Sequence, residues 1–128
     1  MEPKIKKKWL TALRSGKYKQ GRACLRSSND EFCCLGVLCD LYDPNGWIEM
    51  KSGRADWGYG PDENTVAQPY FVNDWADLQE TIVFAPDCPL LARVRETATW
   101  VESWATLPGM NDEGVPFALI ADIIEKYL

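Results

Sequence analysis

The feature that most limits how this chain can fold is the run Phe32-Cys33-Cys34-Leu35-Gly36-Val37-Leu38-Cys39-Asp40-Leu41-Tyr42. Only Asp40 in it is charged, so the segment has to be buried on nearly every side and the rest of the chain must fold around it. Periodicity does not separate a buried strand from a buried helix in so short a run. The breaker Asp43-Pro44-Asn45-Gly46 ends it sharply, and Cys34 to Tyr42 is long enough for nearly three turns. The expectation is a buried central helix.

Around that core, 128 residues make about one domain, 1–128, with no linker and no internal repeat. Pro3 suits a first turn, and Ile5, Trp9, Ala12 and Leu13 share one face of a helix over residues 3–15, closed by Gly16. Gln20 to Cys33 reads as a short β-hairpin turning at Ser27-Ser28-Asn29-Asp30. Trp47 to Met50 and Ala55 to Tyr59 read as short pairing strands around a turn at Ser52-Gly53, followed by an irregular loop. Pro69 to Leu78 reads as a helix, Thr81 to Phe84 as a strand, and Pro89 to Leu107 as a helix broken by Pro108-Gly109. Pro116 to Leu128 is an amphipathic C-terminal helix with Lys126 complementing its dipole. The fold class is α+β.

Composition narrows the chemistry. There is no histidine, which removes Ser-His-Asp and Cys-His catalysis, His-ligated metals and the usual base near neutral pH. Five cysteines without a C-x-x-C pair suit a structural zinc site poorly, and neither metal nor cofactor is expected. No apolar run approaches a membrane span. The basic N-terminus has no continuous apolar stretch or cleavage site of a signal peptide. A cytoplasmic protein with reduced thiols is expected.

Charge is uneven. Residues 1–26 hold nine Lys or Arg against one acid, Glu2, while residues 27–128 hold five basic and eighteen acidic groups. Such asymmetry steers an anionic partner to one end, or reflects pairing of a basic helix with an acidic body.

Three candidate sites emerge. Arg14-Ser15-Gly16-Lys17-Tyr18-Lys19-Gln20-Gly21-Arg22 places four cations and two glycines in nine residues. Tyr18 could stack on a planar group while Arg14 or Arg22 grips a phosphate, with Lys17 and Gln20 beside them. It lacks the residue order of a P-loop, and a solvated turn remains the alternative. Asn111-Asp112-Glu113-Gly114 either holds a ligand or a metal, with Asn111 and Asp112 as the candidate residues, or organises its own turn. Cys34 is either a nucleophile at a helix start or core packing.

Several stretches resemble a family of small proteins from tailed phages and prophages: residues 9–21, Phe32 to Leu41, Val72 to Leu78, and Met110 to Glu125. The resemblance implies a phage setting, hence a host-cell cytoplasm, and little chemistry. The leading expectation is a non-enzymatic protein binding an anionic small molecule such as a nucleotide immune signal, so as to counter host defence. The alternatives are an acidic inhibitor of a host protein or nucleic-acid mimic, and an enzyme using Cys34 or carboxylates. A homo-oligomer is compatible with the sequence.

Overall fold

The computed structural model describes residues 1–50, 57–78 and 106–128. Helix α1, Pro3–Arg14, forms where the spacing predicts it: Glu2 caps it by accepting from Ile5 N at 2.8 Å, and Ile5, Trp9, Leu10 and Leu13 are buried. Removing the larger of these side chains from water contributes roughly 2 kcal/mol each. Gly16, at φ +74°, takes the left-handed conformation that terminates the helix.

The cysteine-rich run is the helix α2, Cys34–Tyr42, buried from Cys34 through Cys39. Its N-cap is Cys33, whose sulfur accepts from Gly36 N at 3.3 Å. Gly36 has a packing reason to be glycine: a Cβ there would sit 1.9 Å from the Leu25 carbonyl oxygen. Trp9 is fully buried and its indole N–H donates to the Cys34 carbonyl at 3.0 Å, tying α1 to the first turn of α2.

The expected hairpin is present in reduced form and has a second partner. The turn closes with Ser27 N donating to Glu31 O and Cys33 N to Leu25 O, but its ladder is the single antiparallel bridge Arg26–Phe32. The longer pairing is parallel: β1, Lys19–Gln20, against β2, Glu31–Phe32, with Lys19 opposite Glu31 and Gln20 opposite Phe32. Alternation of side chains cannot distinguish a parallel from an antiparallel neighbour. Ala23, at φ 63°, lies where the chain turns between the two edges.

Strands β3, Trp47–Glu49, and β4, Trp57–Tyr59, pair antiparallel as expected. Helix α3, Tyr70–Ala76, follows. Pro108 lies in the first turn of a helix: α4, Leu107–Asp112, is capped by Thr106 Oγ1 accepting from Gly109 N. Proline is tolerated in a first turn, where its missing N–H would have no intrahelical partner. Helix α5, Phe117–Tyr127, completes the α+β domain. The strand expected at 81–84 and nearly all of the helix expected at 89–107 lie outside the described residues, as does the turn at Ser52-Gly53.

Candidate functional site

The basic face of α1 becomes a groove wall because its lysines repeat at helical spacing. Lys4, Lys7 and Lys8 stand at i, i+3 and i+4, on the side away from Ile5 and Trp9. Past the helix, Ser15 Oγ donates to Ala12 O at 2.7 Å and accepts from Lys17 N at 3.1 Å. This tight turn brings Lys17 and Tyr18 alongside the last turn of α1. The result is an open groove of about 570 Å³ lined by α1, the 15–18 turn and Leu41 of α2.

Tyr18 is held firmly as part of that wall. Its hydroxyl donates to Asp40 Oδ2 at 2.6 Å, and Trp47 Nε1 donates to the other carboxylate oxygen at 2.9 Å. Its ring meets Phe32 edge-on, centroids 5.1 Å apart. Burial, reinforced by Asp40, pushes the Tyr18 phenol well above its ordinary pKa, so the ring stays neutral. The floor of the groove is Ala12, Leu41 and this ring.

Three cations elsewhere are matched by carboxylates. Arg14 bonds Asp122 at 2.8 Å and Glu125 at 2.9 Å across to α5, which raises its own pKa and lowers that of Glu125. Lys19 pairs with Glu31 at 3.1 Å, and Arg26 with Asp30 at 2.7 Å. Arg26 also lies over Trp57, 4.0 Å from the ring centroid. Lys4, Lys7, Lys8 and Lys17 take part in no ion pair among the described residues. A smaller neighbouring hollow of about 340 Å³ is bordered by Lys6, Arg14 and Glu125, and there the carboxylate is already present.

The seven residues singled out from the sequence fall into four places. Lys17 and Tyr18 line the groove. Arg14 is on the α5 side, engaged as above. Gln20 and Asn111 meet in the interior: Gln20 Nε2 donates to Asn111 Oδ1 at 3.1 Å and to Val115 O at 2.8 Å, while its Oε1 accepts from Phe117 N. Asn111 is fully buried; its Oδ1 also accepts from Cys34 N and its Nδ2 donates to Gly21 O at 2.8 Å. Asp112 accepts from Ala23 N at 2.9 Å, and Arg22 is exposed with its guanidinium against Gly114. Asn111 and Asp112 thus bond backbone some ninety residues away rather than their own turn. Lys4, Lys7 and Lys8 also line the groove and are not among the residues singled out from the sequence; their shared helical face was the available signal.

The cysteines pack the core. Cys34 is fully buried and its Sγ lies 3.7 Å from Leu107 O. Burial pushes its thiol well above the ordinary value and that of Cys33 up to about 12, so neither presents a thiolate near neutral pH. Among the described residues no group of three or more His, Cys, Asp or Glu could hold a metal. No helix among them is long and apolar enough to cross a membrane.

One family model matches the chain over residues 1–128. The chain belongs to the family described as Domain of unknown function (DUF8296). No curated protein and no solved structure matches this DUF8296 chain.

Proposed function

We propose that this DUF8296 protein is a non-catalytic binder of an anionic small molecule, a nucleotide above all, seated in the groove between α1 and the Tyr18–Leu41 wall. One observation carries the reading: four lysines without a carboxylate partner among the described residues line a groove with apolar surface, while Arg14, Lys19 and Arg26 are neutralised within the fold. Ammonium groups supply phosphate contacts, and Ala12, Leu41 and the Tyr18 ring supply the apolar and stacking surface for a base. The likeness to small phage and prophage proteins supports a purpose, retention of a nucleotide signal so that host defence is not triggered.

The test is a thermal-shift panel of cyclic and linear nucleotides on the wild-type protein and on the double variant Lys7→Gln, Lys8→Gln. A ligand at a hundred times its Kd raises stability by about 2.7 kcal/mol, and the variant should lose affinity about tenfold. A panel in which no nucleotide shifts the wild-type transition overturns the proposal.

A second reading has its own observation. Asp43, Glu49, Asp62, Glu63 and Asp74 are all exposed within residues 43–74, which suits an acidic inhibitor covering a basic site on a host protein. Retention of a host protein that falls away steeply with salt, and that is lost when these acids are changed to amides, would favour it over the first.

A further inference from the structure

The groove's own hydrogen bonding restricts what it can recognise. Thr11 Oγ1 donates to Lys7 O at 2.8 Å, Ser15 Oγ to Ala12 O, and the Tyr18 hydroxyl to Asp40. Every hydroxyl proton in the wall is therefore committed to the chain itself. Among the described residues the lining contains no Asn, Gln, Asp, Glu or Arg, the side chains whose planar groups read a base edge through two hydrogen bonds or accept from it. What remains is flexible lysine heads and apolar contact.

The cations are also distributed lengthwise. Lys4 is in the first turn of α1 and Ser15 at its C-terminal cap, about 16 Å apart along the axis at 1.5 Å per residue. Lys4, Lys7 and Lys8 occupy the N-terminal half of the wall, Lys17 lies beyond the opposite end, and Ala12, Leu41 and Tyr18 provide the apolar surface. Three lysines at one end suffice for a single phosphate cluster, so Lys17 has no role toward a ligand charged at one end only.

We infer that the groove takes a nucleoside bearing phosphate on both sides of its sugar, and does not discriminate which base it carries. This rests on the nucleotide-binding reading above. Lys4, Lys7 and Lys8 hold one phosphate, Lys17 holds the other, and the base lies on the apolar floor with its edge unread.

Calorimetric titration of the full chain with ADP, adenosine 3′,5′-bisphosphate and guanosine 3′,5′-bisphosphate tests it. ADP carries as many phosphates as the bisphosphates but keeps them together. Both bisphosphates should bind about tenfold tighter than ADP and within about threefold of each other. In Lys17→Gln, an exposed substitution whose folding is checked by its unchanged melting transition, the ratio of bisphosphate to ADP affinity should fall to about one. ADP binding as tightly as the bisphosphates, or a tenfold preference for one base, overturns the inference and leaves the nucleotide-binding reading standing. Absence of binding by all three overturns the inference, and the nucleotide-binding reading is then decided by the thermal-shift panel.

Discussion

Two polar regions lie at opposite ends of the same short connection, and they are built on opposite principles. At Gln20, Gly21 and Asn111 the polar groups are buried or half-buried and bonded to one another or to backbone. At Lys4, Lys7, Lys8 and Lys17 they are exposed and bonded to no carboxylate among the described residues. Both regions have side chains that could serve a ligand, so residue type alone does not separate them. A polar group whose partners are already inside the protein contributes to the fold; one without partners is available to something else. Breaking the first should destroy structure, and breaking the second should leave structure intact.

The largest effect should come where the buried junction is tightest. Gly36→Ala forces a methyl into the Leu25 carbonyl, which belongs to backbone and cannot rotate away. The loss should be at least about 3 kcal/mol, seen in chemical denaturation or as failure to fold. Asn111→Leu removes the shared acceptor of Gln20 and Cys34 N and the donor to Gly21 O. Buried groups left unsatisfied cost about 1–3 kcal/mol each, so a total near 3 kcal/mol is expected by the same measurement.

Alkaline titration gives a graded version of the same contrast. The thiols of Cys33, Cys34 and Cys39 and the phenols of Tyr18 and Tyr59 have folded pKa values raised above their ordinary values, chiefly by burial. Below their ordinary values, 9.0 for thiols and 10.0 for phenols, the contribution to stability is fully present. It is lost as pH rises beyond them, because the unfolded chain releases those protons first. Midpoints of urea unfolding should therefore fall progressively above about pH 9, whereas a flat profile would contradict the burial of these groups. The smallest effect belongs to the groove. Lys7→Gln with Lys8→Gln should change unfolding stability by less than about 0.5 kcal/mol while nucleotide affinity drops. If stability fell instead, the lysines would be part of the scaffold and the contrast would fail.

The sequence revealed elements whose signals are local. Helix α1 has its Pro3, its apolar stripe and its closing Gly16, and α2 is bounded by Cys33 and Asp43 as expected. It concealed relations that depend on distant partners. Nothing near Asn111 says that its amide will meet Gly21, and nothing in Lys19-Gln20 says that the strand will run parallel to Glu31-Phe32. Pro108 was misleading for a related reason: proline ends one helix or begins another according to the residue in front of it, and Thr106 decides the matter. The candidate site was half legible. Lys17 and Tyr18 stood out by density of charge and aromaticity, but Arg14 stood out equally and is neutralised by Asp122 and Glu125, which are over a hundred residues away.

The contact between α1 and α5, the most extensive between any two helices among the described residues, has a consequence for how the protein comes into being. Residues 117–127 are translated after everything they cover. Until they emerge, one flank of α1 lacks its cover and Arg14 lacks both of its carboxylates, so the nascent chain carries a helix more basic and more adhesive than the finished one. Contacts between segments more than a hundred residues apart also pay a larger loop-closure cost before they form. Covering of this flank therefore waits on residues 117–127, and the same closure that masks the charge of Arg14 on one flank of α1 leaves the lysines displayed on the other.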